Sequence, residues 1–140
     1  MIDCGEGAQL QMRRSRLKFS RLNHVFISHL HGDHCFGLIG LISTFGLLGR
    51  TAPLYVHAPA AFGPILQSLL GFFCKGLDFR VEFYPVDTSR HALIHEDRSV
   101  SIYSIPPAPP YRMLRFSVSG ESNLATHPTR HDRFLPYPDL

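Results

Sequence analysis

The stretch that decides the fold is Leu22-Asn23-His24-Val25-Phe26-Ile27-Ser28-His29-Leu30-His31-Gly32-Asp33-His34. Its first seven residues are rich in β-branched and aromatic side chains, which predicts a buried β-strand. Three imidazoles and one carboxylate follow within six residues. Functional loops commonly follow such a strand directly. The stretch therefore predicts a metal-binding loop at the end of a strand.

The ligand-type residues of this loop divide into two pairs. In an extended segment residues two apart point the same way, so His29 and His31 can converge on one ion. Asp33 and His34 offer an oxygen and a nitrogen to a second ion, and Gly32 allows a tight turn between the pairs. Imidazole and carboxylate are ligands that Zn²⁺ prefers, and catalytic zinc sites commonly lack thiolate. The alternative is a polar surface loop that holds three histidines by chance.

Outward from this loop, strand patterns alternate with helix patterns. The spacing of apolar residues predicts a helix at 8–19, and an almost wholly apolar run of sufficient length predicts a buried helix at 36–48. The pattern further predicts a helix at 60–73, a strand end at 1–3, strands at 22–28, 53–57 and 79–86, and a hairpin of 92–95 with 99–105. Strands that alternate with helices indicate the α/β class.

The composition excludes several classes of protein. In 140 residues, 44% are hydrophobic and 18% charged, which is typical of a globular chain and not of a disordered tail or coiled coil. The sequence has no apolar run long enough for a membrane span and no secretory signal layout, so we expect a cytoplasmic protein without a membrane partner. Cys4, Cys35 and Cys74 are too few for a disulfide framework. The net charge of +3 permits an anionic partner without requiring one.

The last 35 residues differ from the rest of the chain. They hold seven of the eleven prolines and one short candidate strand, at 114–118. We therefore divide the chain into an α/β domain at 1–105 and an irregular, proline-rich tail at 106–140. The tail is also a candidate out-of-frame product. Codons permitted for residues 107–122, when read one nucleotide later, can encode a block of sequence that includes a further histidine and resembles a block of known metal-dependent enzymes.

Further motifs flank the metal-binding loop on both sides. They are Ile2-Asp3-Cys4-Gly5-Glu6-Gly7, Gln9, Gln11-Met12, Gly37-Leu38, Gly40-Leu41, Gly49-Arg50 and Pro53-Leu54. Together with 26–34 they resemble ribonuclease Z, the tRNA 3′-processing endonuclease of the metallo-β-lactamase superfamily. The resemblance covers 1–105 and implies part of an αββα metallo-β-lactamase sandwich. A partial sandwich leaves an apolar face uncovered, so we expect a homodimer.

The resemblance also implies roles for individual residues. His29 and His31 would hold one Zn²⁺, and Asp33 and His34 a second, with Mn²⁺ or Mg²⁺ as substitutes. Asp33 would also be catalytic, by orienting or deprotonating the attacking water. Asp3 would orient a ligand histidine through its ring N–H, although a turn-forming aspartate explains it equally well.

Four ligands do not complete a two-zinc site, because each ion needs about three. The family supplies a further histidine where this chain has Pro109, and its remaining two ligands have no matching positions here. We therefore expect this chain to be weakly active or inactive.

The parent activity implied by the resemblance is removal of the 3′ trailer from precursor tRNA. Two alternatives remain open, namely another metallo-β-lactamase-fold phosphodiesterase and a non-catalytic remnant or binding module. No nucleic-acid-binding residue is assigned. The basic run Arg13, Arg14, Arg16, Lys18 and Arg21 could contact phosphate, but a solvated helix face is favoured.

The other candidate ligands have simpler interpretations. We expect His24 and His57 to be packed or edge-exposed in strands rather than metal ligands. We expect His91 and His95 to be solvated beside the hairpin, and Cys35 to be a small buried residue. His127 and His131 lie in the tail, where they are poor substitutes for the missing ligands.

Overall fold

The computed structural model describes residues 1–107 and 114–120, which form two three-stranded sheets and their helices. Sheet A is parallel, in the order β1-β2-β3, and sheet B is antiparallel, in the order β4-β5-β6. The helices are α1 (Ala8–Arg14), α2 (Gly32–Cys35), α3 (Gly37–Leu47) and α4 (Phe62–Phe73), with a 3₁₀ turn at Phe19–Arg21. The strands are β1 (His24–Phe26), β2 (Leu54–Pro59), β3 (Val81–Val86), β4 (Ala92–Glu96), β5 (Ser101–Ile105) and β6 (Arg115–Ser119).

The main core lies between sheet A and its helices. Alternate residues of a strand face opposite sides of a sheet, and the strand residues Val25, Leu54 and Val56 are fully buried in one cluster with Leu41 and Phe45 of α3. The other face of sheet A meets sheet B, where the ring centroids of Phe26 and Phe116 lie 5.7 Å apart. This layering is that of the expected α/β sandwich.

Two glycines allow the backbone to pack tightly beside the metal-binding loop. A Cβ on Gly5 would run into the Asp33 carbonyl, and one on Gly37 would run into the Gly5 carbonyl. The Gly37 N–H donates to the Cys4 carbonyl at 2.9 Å. The segment before α1 is therefore locked against both the loop and the start of α3.

The first helix is shorter than its sequence pattern predicts. The expected helix at 8–19 ends at Arg14, because Arg16 adopts a left-handed backbone conformation with φ of 54°. That conformation is disfavoured for L-residues and stops a helix. The strand predicted at 22–28 is likewise reduced to His24–Phe26. Residues 36–48 and 60–73, by contrast, are helical nearly as predicted.

The hairpin and the tail strand that the sequence predicts are both present. β4 pairs with β5, and β5 pairs with β6, so residues 115–119 belong to sheet B. Within the predicted tail, residues 108–113 and 121–140, which include Pro109, His127 and His131, lie outside the described residues. Among the helices that the structure describes, none has the length and hydropathy needed to cross a membrane.

Candidate metal centre

The predicted metal-binding loop, residues 29–34, follows the carboxyl end of β1, beside β2. The Ile27 N–H donates to the His57 carbonyl at 2.8 Å, which continues the pairing of these strands for one residue. His31 has extended backbone angles and precedes α2, a single helical turn that carries Asp33 and His34. The tight glycine turn that we predicted at Gly32 is therefore replaced by a helix start, and Gly32 has no positive φ.

Three of the four predicted ligands converge in space. His29, Asp33 and His34 each offer one ligand atom, and these atoms all lie within 4.8 Å of one another. The rings of His29 and His34 are 3.8 Å apart between centroids, and the ring of His31 lies 4.6 Å from that of His29. The convergent trio therefore combines one member of the first predicted pair, His29, with both members of the second. His31 lies beside the trio and is not part of it.

Asp3 contacts this group from a distant part of the chain. Its carboxylate lies 2.7 Å from His34 Nδ1 and accepts hydrogen bonds from the Ser28 N–H at 2.8 Å and the Ser28 hydroxyl at 2.9 Å. An imidazole whose Nδ1–H donates to a carboxylate presents the lone pair of Nε2. His34 Nε2 is on the Asp33 side of the ring, 3.3 Å from Asp33 Oδ2.

Ser28 is a site residue that our sequence reasoning missed. Besides its contacts with Asp3, its hydroxyl lies 3.0 Å from His29 Nδ1 and 3.4 Å from His34 Nδ1. It therefore touches two candidate ligands and the Asp3 carboxylate, which itself contacts His34. A serine at a strand end carries no sequence signal of its own, and its position directly before His29 was the one available clue.

The surroundings of His29 favour the neutral form of its ring. Burial, and then the neighbouring His34 and His31, lower the pKa of His29. A neutral ring is the form that binds a metal ion. The Asp33 side chain is 73% exposed, so this member of the group is in contact with solvent, whereas the His34 side chain is 20% exposed.

The donor set fits a divalent metal ion. Imidazole and carboxylate donors suit Zn²⁺, and the neighbouring thiol does not compete with them. Cys35 is buried, its S–H donates to the His31 carbonyl at 3.2 Å, and burial raises the pKa of its thiol. Cys35 is thus held as a thiol and matches the predicted small buried residue.

Three other histidines form a separate cluster between the two sheets. His24 Nδ1 lies 3.2 Å from His57 Nε2, and the ring of His24 lies 3.9 Å from that of His95. Burial lowers the pKa of both His24 and His57 to about 4. The prediction that His95 is solvated is wrong, since its side chain is 18% exposed and packs on His24, whereas His91 is exposed as predicted.

The fold and the site can be compared with known proteins. The family model described as "Anti-Pycsar protein Apyc1" matches residues 1–70. A ribonuclease Z of Bacteroides thetaiotaomicron is 65% identical over 106 residues, which cover 76% of this chain and 34% of the relative. A ribonuclease Z of Bacteroides fragilis is 62% identical and covers 76% of this chain and 35% of the relative. The chain thus spans about a third of the length of the curated relatives it matches.

Solved structures agree with these sequence relatives. The short form of human tRNase Z superposes with a TM-score of 0.70 at 27% identity, covering 85% of this chain and 53% of the human chain. The metallo-β-lactamase fold protein YhfI from Bacillus subtilis has a TM-score of 0.57 at 17% identity, covers 84% of this chain and 44% of its own, and supports the fold alone. The chain has the metallo-β-lactamase fold, the curated relatives described above are ribonuclease Z proteins, and it belongs to the family whose model is described as "Anti-Pycsar protein Apyc1".

Proposed function

We propose that the chain carries the metal-binding part of a zinc-dependent endoribonuclease that removes the 3′ trailer from precursor tRNA. The observation that carries the proposal is the convergence of His29, Asp33 and His34 within 4.8 Å after the end of β1. The RNA substrate is suggested by the relatives named ribonuclease Z, at up to 65% identity.

Each site residue then has a role. His29 and His31 would hold one ion, and Asp33 and His34 would hold the second. Bound Zn²⁺ would activate a water molecule and stabilise negative charge on the phosphodiester. Asp33, as the most exposed member of the group, orients the attacking water or accepts its proton. Asp3 acts through His34 and is therefore a positioning residue.

The four donors of this loop fall short of the roughly six that two ions need. A chain with this donor set alone binds metal more weakly than a complete site and turns over slowly, if at all. The relatives' greater length is consistent with ligands supplied from outside the matched region.

Zinc titration of the purified chain by calorimetry tests the metal site. We expect the wild type to bind zinc and His34→Ala to bind it much more weakly. His91→Ala should keep the wild-type zinc affinity, because it removes an exposed imidazole that is distant from the loop along the chain. Absence of zinc binding by the wild type would favour the non-catalytic alternative.

Substrate choice is tested in the full-length Bacteroides thetaiotaomicron relative, with precursor tRNA and an aryl phosphodiester compared side by side. We expect cleavage of the RNA and its loss when the aspartate that aligns with Asp33 is replaced by alanine. Preference for the small ester would instead support the general phosphodiesterase.

We also propose that the chain associates as a homodimer. An apolar groove of about 400 Å³ runs between α3 and α4 and opens beside the metal-binding loop. Phe36 and Ile65 line it and are 71% and 49% exposed. Burial of such side chains against a second copy is favourable. Light scattering should give twice the mass of one chain, and Phe36→Ser should shift that mass toward the monomer.

A further inference from the structure

The parallel order of sheet A places the starts of its three strands at one edge. The segments that lead into β1, β2 and β3 are residues 13–23, 48–53 and 74–80. The first begins in the last turn of α1, and the other two follow the ends of α3 and α4. We call these three segments the amino edge. The metal-binding loop lies at the opposite edge, because it follows the end of β1.

Cationic residues are concentrated at the amino edge. Among residues 1–86 every lysine and arginine lies in one of its three segments, namely Arg13, Arg14, Arg16, Lys18, Arg21, Arg50, Lys75 and Arg80. Three of the five acidic residues in the same range, Asp3, Glu6 and Asp33, lie at the opposite edge. The domain is therefore polarised, with a cationic edge and a metal-binding edge.

The cations of the segment 13–21 are available to a ligand. Arg13, Arg14, Arg16, Lys18 and Arg21 are all exposed, and none of them forms a salt bridge within residues 1–107 and 114–120. Arg50 and Arg80 differ from them. The Arg50 guanidinium is buried and donates to backbone carbonyls, and Arg80 lies 3.5 Å from Glu82.

Support of the helix end does not account for all five charges. Arg13 and Arg14 are in the last turn of α1, where cations offset the helix dipole. Arg16, Lys18 and Arg21 come after the helix has ended. Five like charges within nine residues repel one another, and a polyanion that displaces their counterions relieves that repulsion.

We infer that Arg13, Arg14, Arg16, Lys18 and Arg21 form a phosphate-binding surface for RNA, remote from the metal centre. The inference rests on the proposed function for its choice of RNA as the polyanion. β2 has six residues, so at about 3.3 Å each the two edges are roughly 20 Å apart. A folded RNA can span that distance, whereas a small phosphodiester cannot.

An anionic membrane is the less favoured partner. Leu10 and Leu17 are exposed among the cations, at 52% and 58%. However, α1 has seven residues, and its Met12 is buried in the core, so the helix has no free apolar face to insert into lipid.

The experiment measures binding of a labelled RNA hairpin without a cleavage site, in chelator, over a series of salt concentrations. Each phosphate contact contributes about 0.7 to 0.9 to the slope of log affinity against log salt. Five contacts predict a slope of about −3.5 to −4.5, and an affinity that falls on the order of 10²-fold between 50 and 200 mM salt. The triple variant Arg13→Gln, Arg14→Gln, Arg16→Gln should lose about 2 to 3 units of slope.

The control removes the same charge elsewhere on the surface. Arg90, Arg98 and Arg115 are exposed and lie in or beside sheet B, and their replacement by glutamine should leave the slope near the wild-type value. Thermal melting checks that both triple variants fold. If the first triple variant does not fold, the double variant Arg16→Gln, Lys18→Gln replaces it, since both residues lie outside the helix. The slope of log affinity against log salt should then decrease in magnitude by about 1.5 to 2.

The outcomes separate the surface from the proposed function. Equal slopes in the two triple variants, no RNA binding by the wild type, or binding to phosphatidylserine vesicles in place of RNA would each overturn the inference. Loss of slope in the first variant alone supports it, even if the full-length relative fails to cleave precursor tRNA. That last result would refute the proposed function and leave the binding surface in place.

Discussion

Replacement of Asp3 by asparagine tests whether the charge that contacts His34 Nδ1 orients this ring. Asp3 has a positive φ of 54°, and asparagine is among the residues that tolerate this conformation best. The amide oxygen can still accept from the Ser28 N–H, so the backbone of the loop is retained. What changes is the group that faces His34 Nδ1 at 2.7 Å, where an anionic acceptor becomes a neutral amide.

The size of the effect follows from this contact. Where the amide NH₂ faces His34, two donors meet, and the ring proton is forced from Nδ1 to Nε2, which then has no lone pair for a metal ion. The Asp3 side chain is 24% exposed, so water only partly replaces the lost acceptor. Loss of such an outer partner costs about 10- to 100-fold in metal affinity. That range corresponds to about 1.4 to 2.7 kcal/mol.

Zinc titration against a competing chelator measures the affinity, and nitrogen NMR of the imidazole reports the tautomer of His34 without any need for activity. Asp78→Asn is the matched control, because it makes the same chemical change at an exposed position of the amino edge. A zinc affinity for Asp3→Asn within twofold of the control, with Nδ1 still protonated, would refute the positioning role.

Three further predictions concern the stability of the fold. Burial lowers the pKa values of His24 and His57 from 6.5 to about 4, so between these pH values the unfolded chain binds more protons than the folded one. The melting temperature in chelator should therefore fall as the pH drops from about 6.5 to 4. A melting temperature that does not change over this range would contradict the buried, neutral state of the cluster. Arg50→Lys should destabilise the chain by about 2 to 3 kcal/mol in urea unfolding, because one ammonium cannot reproduce the donations of the Arg50 guanidinium to four oxygens. Gly37→Ala should lower the free energy of unfolding by about 1 to 3 kcal/mol or prevent folding, because the added methyl group would run into the Gly5 carbonyl. An unchanged midpoint of urea unfolding would show that this packing is looser than described.

The local sequence predicted the two long helices well. The apolar run of α3 is too long for a typical strand and is broken after residue 48, so its bounds agree with the predicted ones within one residue, and those of α4 agree within two. The predicted end of α1 was wrong, because the spacing of apolar residues does not indicate the left-handed backbone conformation of Arg16. His95 was misjudged for a related reason, since its burial against His24 depends on how the two sheets stack.

What the sequence by itself determined is the ligand loop. His29, His31, Asp33 and His34 lie within six residues after one short strand, so any fold that forms β1 brings them near one another. Only the tertiary structure decided how they are oriented. Asp3, 31 residues from His34, meets it because the segment before α1 packs against the loop through Gly5 and Gly37. A hydrogen bond between distant residues depends on the path of the whole chain, and local spacing carries no information about that path.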